Sequence, residues 1–89
     1  MSISEIDIQP RAMKVTVSDD ELTVDLVDGR KISVPVVWFP RLLNASAAQR
    51  EDWELLGEGE GIHWPQIDED LSVVGILRGT RGSKLPPRV

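Results

Sequence analysis

A chain of 89 residues that is 40% hydrophobic and 28% charged makes one domain with a small core, because at this size only about 60–65% of the unfolded surface is buried. It contains no cysteine, which excludes disulfides, thiolate nucleophiles and cysteine-ligated zinc and fits a reducing, cytoplasmic setting. The formal net charge is −5, with all 15 acids at or before Asp70 and only Arg78, Arg81, Lys84 and Arg88 charged beyond it; such an acidic body argues against direct DNA binding and suits a basic protein partner.

No apolar run approaches the roughly 18–20 residues that span a bilayer, and Glu5 and Asp7 near the start are unlike a basic signal-peptide leader, so no membrane association is expected. Met13, Val15 and Val17 alternate with polar residues, as do Leu22, Val24 and Leu26 after an acidic turn at Asp19-Asp20. Period two marks half-buried strands. Asp28-Gly29 signals a tight primed hairpin turn, after which Ile32, Val34 and Val36 resume the alternation. The three strands form an antiparallel meander with one aliphatic face that later elements must cover. Pro35 has no N–H and belongs at a strand end or a sheet edge.

Pro40 suits the first position of a short helix through Leu42 and Leu43, ending at Asn44 or Ala45. Ser46 and Gln49 match a capping box for a second helix reaching about Trp53. Gly57, Gly59 and Gly61 alternate with Glu58 and Glu60; this reads as a flexible acidic loop, unlike a phosphate loop because the Lys-Ser/Thr pair is missing. Ile62 and Trp64 flank His63 in a possible brief strand. A last helix is expected with Asp68 as N-cap, Glu69 and Asp70 in its first turn, and Arg78-Gly79 at its end. Val73, Val74, Ile76 and Leu77 would give it an apolar side, with Gly75 allowing close approach to the sheet.

The expected architecture is therefore α+β: a small antiparallel sheet of three or four strands with short helices on one face. Residues 1–78 form the domain, ordered from about residue 12, and residues 79–89 read as a basic, disordered tail.

Several motifs are distinctive in combination: Asp28-Gly29-Arg30, then Val34-Pro35-Val36-Val37-Trp38-Phe39-Pro40-Arg41-Leu42, then Trp53-Glu54-Leu55, then Gly61-Ile62-His63-Trp64-Pro65 with Ile67-Asp68-Glu69-Asp70-Leu71. Their order and spacing resemble the family called domain of unknown function 2442, across roughly residues 12–78. The resemblance implies a small prokaryotic α+β domain, sometimes fused to a helix-turn-helix segment. It also implies frequent encoding beside a protein with the domain of unknown function 4160, an arrangement like that of toxin and antitoxin. The family supplies no catalytic residues to carry over.

The only histidine, His63, lies near Asp68, Glu69 and Asp70, a set that suits a metal-dependent or acid/base enzyme as an alternative reading. Three consecutive acids point apart, however, and helix capping accounts for them, while His63 reads as a structural histidine. No Ser or Thr lies in a nucleophile-elbow motif. The expectation is thus a non-catalytic protein-binding module, an antitoxin-like or regulatory partner of a small neighbouring protein, with no cofactor and no metal. Trp38, Arg41, Glu58, Glu60, His63 and Trp64 are the candidate partner-binding residues, since aromatic and arginine side chains anchor interfaces and the acids suit a basic partner. An open sheet edge also leaves room for a homodimer.

Overall fold

The computed structural model describes residues 10–79. Strands β1 (Ala12–Val17), β2 (Glu21–Leu26) and β3 (Lys31–Pro35) form the expected antiparallel meander, with Pro35 at a strand end. Leu22, Val24 and Leu26 are buried, while Thr23 and Asp25 turn outward. On the outer face Thr16, Thr23 and Ser33 are register partners, as are Lys14, Asp25 and Lys31. The Thr23 and Ser33 hydroxyls are 3.0 Å apart, and Lys31 Nζ lies 3.5 Å from Asp25.

Two local expectations are corrected here. Met13 does not face the core: the register slips between Ala12 and Lys14, so Ala12 and Val15 point inward and Met13 is 57% exposed. A bulge adds one residue to the strand and so resets which side chains share a face. The Asp28-Gly29 turn is not a two-residue primed turn either. Positive φ occurs at Gly29 alone, and Leu26 accepts from the Gly29 N–H and donates to Arg30, giving a three-residue connection with glycine in the left-handed position.

A 3₁₀ turn at Val36–Trp38 leads into α1 (Pro40–Leu43) and α2 (Ala47–Glu51). Pro40 opens α1, and the Ser46–Gln49 capping box closes in both directions, at 3.1 and 2.9 Å. The second helix stops at Glu51, short of Trp53.

The larger difference lies downstream. There are two three-stranded sheets, the second built from β4 (Glu54–Leu56), β5 (Gly61–Trp64) and β6 (Glu69–Ser72) in that order, all antiparallel. The expected helix start at Asp68 is strand: Asp68 takes φ 55° and reverses the chain, and β6 then alternates with Glu69 and Leu71 buried and Asp70 and Ser72 exposed. The helix, α3 (Val73–Arg78), begins a turn later, capped by Ser72 through a 2.8 Å bond from the Gly75 N–H and ended by left-handed Gly79. The three acids that resembled a helix N-terminus have period two, and pairing with β5 decides the matter.

The Gly/Glu run is a docked hairpin turn rather than a flexible loop. Gly59 is buried with φ 98°; its carbonyl accepts from Ala12 at 2.7 Å, and the next carbonyl, that of Glu60, accepts from Val73 at 3.0 Å. A Cβ on Gly59 would lie 2.5 Å from the Ala12 carbonyl oxygen. The turn therefore fastens the second sheet to β1 and to α3.

Both sheets contribute to one hydrophobic cluster, in which Trp64, Phe39, Leu22, Leu42, Ile62 and Val73 are all essentially dry. Arg50, 9% exposed, ties this core to the loops. Its Nε and Nη2 donate to the carbonyls of Leu42 and Leu43, both at 2.9 Å, and Nη1 to exposed Asp19 at 2.9 Å. Those carbonyls end α1, where that of Leu42 also accepts from the Ala45 N–H at 3.2 Å. Among the described residues no helix is long and apolar enough to cross a membrane. The 79–89 tail expected from sequence falls, apart from Gly79, outside the described residues.

Two substitutions test this arrangement by thermal or urea unfolding. Gly59→Ala combines positive φ with a backbone clash and is expected to cost at least about 1–3 kcal/mol; an unchanged midpoint would refute the docked turn. Arg50→Ala strands the Leu43 carbonyl, leaves that of Leu42 with only its bond from the Ala45 N–H, and is expected to cost about 1–3 kcal/mol. Arg50→Lys should recover only part of this, because a lysine cannot reproduce the planar fork.

Candidate functional site

The second sheet gives its inner and outer faces different chemistry. Inward go Leu55, Ile62 and Leu71, which are register partners, and the Trp64–Glu69 pair. Outward go Glu54, His63 and Asp70, one from each strand and directly opposite one another. Opposed side chains on one face of an antiparallel sheet stand about 4.5–5.5 Å apart at Cβ, so the three form a row across the sheet. His63 on the central strand is flanked by a carboxylate on each side. Asp68, in the turn before β6, is exposed at the margin of this row.

His63 Nδ1 and Asp70 Oδ1 are hydrogen-bonded, with the ring N–H donating to the carboxylate. That bond raises the His63 pKa above its ordinary value near 6.5. Partial desolvation opposes the shift, and the negative charges of Asp70, Glu54 and Asp68 reinforce it. The outer row is thus an acidic surface carrying a histidine biased toward its cation.

The other candidates fall into three environments. Glu58 and Glu60 are exposed in the β4–β5 turn, Glu58 with its carboxylate 3.3 Å from Arg11 Nη1. Arg41 is half-exposed on α1; its Nη1 donates to the Asp68 carbonyl at 2.6 Å and lies 3.8 Å from the Glu69 carboxylate, which is only 3% exposed. A buried carboxylate needs such a cation, and the contact joins the two aromatic-rich motifs seen in the sequence. Trp38 is partly buried, edge-to-face with Phe39 at 6.5 Å between centroids.

Trp64 is corrected. It is 0% exposed, and its indole N–H donates to the Arg50 carbonyl at 3.1 Å, so it is a core residue that offers no ring to a partner. Neighbouring positions on a strand face opposite ways, and His63 therefore takes the outer side while Trp64 takes the inner. Glu54 was not among the sequence-derived site residues, and Asp70 entered only the alternative acid/base reading because it read as part of a helix's first turn. The signal that finds both is the alternation of Glu54 with Leu55 and of Asp70 with Leu71. Among the described residues, no group of three or more His, Asp or Glu side chains is placed to hold a metal ion.

The fold and this outer row define a small two-sheet α+β domain with an acidic open face. The family described as protein of unknown function DUF2442 matches residues 12–82, and the chain belongs to that family. Among solved structures it is similar to a protein of unknown function from Rhodospirillum rubrum, 37% identical with a TM-score of 0.72 over 86% of this chain and 95% of that one. It also shares its fold with an uncharacterized protein from Chromobacterium violaceum, 23% identical with a TM-score of 0.69 over 82% of this chain and 69% of that one. No curated protein matches the chain.

Because the folded pKa of His63 is raised, its contribution to stability is fully present below about pH 6.5 and is lost as pH rises through the folded value. As the single histidine, it gives one ring titration by NMR. Its midpoint should lie above 6.5 and fall in Asp70→Asn, and the variant's stability deficit should shrink between about pH 6 and about pH 8. Identical midpoints in the two proteins would remove the ion pair from solution.

Proposed function

We propose that this chain is a non-catalytic protein-binding module, acting in the cytoplasm as an antitoxin-like or regulatory partner of a small basic protein encoded beside it. The observation that carries this reading is the row Glu54, His63 and Asp70 across the open outer face of the second sheet, with Asp68 at its margin. Exposed carboxylates on a sheet face are held in register by the backbone, so they meet a partner's cations with little further ordering. Glu58 and Glu60 at the end of the same sheet extend the negative field, and the whole chain carries −5. Arg41 and Trp38 border the turn that carries Asp68 or the helix that holds it, and they supply the kind of side chain that fixes register in an interface.

Steering by such a field speeds encounter and depends steeply on salt. With the purified product of the adjacent gene, the full chain is expected to associate faster at low salt. Glu54→Lys with Asp70→Lys should lower the association rate constant by roughly tenfold and flatten its salt dependence. Glu58→Lys with Glu60→Lys should act in the same direction. Unchanged association kinetics in both double variants, each shown to be folded, would exclude the acidic face from binding.

A further inference from the structure

We propose that two copies of this chain pair through the open edge of β3, antiparallel about a two-fold axis at Ile32, so that their first sheets become one continuous sheet. The pairing uses backbone groups and none of the carboxylates on the second sheet's outer row. It therefore stands apart from the function proposed above.

β3 is the last strand of the first sheet, and its bonds to β2 fix which of its backbone groups are left over. Leu26 donates to the Arg30 carbonyl, Val36 donates to the Asp20 carbonyl, and the register partners Val24–Ile32 and Leu22–Val34 fall between them. In an antiparallel ladder alternate residues aim their N–H and C=O groups to opposite sides, so those of Lys31 and Ser33 point away from β2. Among the described residues, no backbone group of another element bonds to them. The other edges are shorter or partly occupied. β4 has three residues, the turn at Gly59 takes the Ala12 N–H of β1, and β6 runs from the Arg41 contact at Asp68 into α3.

A lysine or a proline commonly guards an open edge, and β3 has both. Lys31, however, has its Nζ 3.5 Å from Asp25 on β2, and the Ser33 hydroxyl lies 3.0 Å from that of Thr23. Both side chains thus lean away from the edge. Lys14 and Lys31 are matched on the same face by Glu21 and Asp25, so its strand residues carry no net charge to hold two copies apart.

Pro35 selects the register. An axis at Ser33 would set the Lys31 carbonyl opposite the partner's Pro35, which has no N–H to give it. An axis at Lys31 would place two ammonium groups directly opposite each other, which is destabilising. With the axis at Ile32, Lys31 of each copy exchanges both backbone bonds with the partner's Ser33. On the inner face the two Ile32 side chains then form a cross-strand pair. Ile32 packs against the core yet is only partly buried, and this pair covers the remainder. One strand pair buries less than the roughly 1,200 Å² of a stable interface, so the association is weak and reversible.

Sedimentation of the full chain is expected to show the mean mass rising from one chain towards two as concentration approaches about 1 mM. In a mixture of isotope-labelled and unlabelled chains, filtered NOEs should join the Ile32 methyl groups of different chains. Ser33→Pro removes an N–H that β2 does not use, a change that edge strands tolerate. It is expected to weaken association by about tenfold or more, because half of the pairing bonds go. A chain that stays monomeric throughout would overturn the proposal, as would NOEs between chains that fall on another surface. So would a monomer whose own residues 1–9 or 80–89 give NOEs to the β3 edge, or a folded Ser33→Pro chain that associates as tightly as the natural one. If Ser33→Pro does not fold, the NOEs between natural chains decide alone.

Discussion

The Trp64 indole N–H is buried and donates to the carbonyl of Arg50, at the far side of a helix–loop connection. The same arginine sends its guanidinium the other way, to the last carbonyls of α1 and to Asp19 between β1 and β2. One residue thereby links the central strand of the second sheet, both short helices and the first hairpin. Truncating a buried aromatic ring costs about 3–5 kcal/mol, a large share of the stability of a domain this size. Neither three-stranded sheet has a separate layer to cover it, and both close on one shared cluster. The helices, of four to six residues, are too short to persist alone; they hold because their caps and carbonyls are satisfied by the rest of the chain.

This sharing accounts for much of what makes the sequence recognisable. Phe39 and Leu42 enter the core from one motif, Ile62 and Trp64 from another, and Arg41 clamps the turn at Asp68 and the buried carboxylate of Glu69. Gly59 lets the β4–β5 turn touch β1 where no side chain fits. These residues serve architecture, and the likeness to two solved proteins of unknown function is a likeness of that architecture. Recognition has to be sought among the side chains that the architecture leaves outside.

There the two sheets differ. The first mixes hydroxyls and lysines with the carboxylates of Glu21 and Asp25, and the second presents carboxylates around His63. Because strand neighbours alternate, His63 and Trp64 are adjacent in sequence yet belong to opposite faces of the second sheet, one outer and one in the core. A reading that treats them as one cluster assigns one of them to the wrong environment. The acid row is made of residues from three strands, none within six positions of the next, so no local window contains it.

Strong local rules made the meander, the Pro40 helix start, the Ser46–Gln49 capping box and the Gly79 helix stop legible in the sequence. Each depends on covalent geometry or on a bond within a few residues, so a one-dimensional pattern contains the whole cause. The same holds for the gross charge and for the family. The bulge at Met13, the second sheet and the strand at Glu69–Ser72 were decided only in three dimensions. Segments of three or four residues have too little intrinsic preference to choose between helix and strand; pairing with β5 and burial beside Trp64 chose for them. The burial of Arg50 and the alignment of Glu54, His63 and Asp70 likewise come from register and packing, which exist only once distant parts of the chain meet.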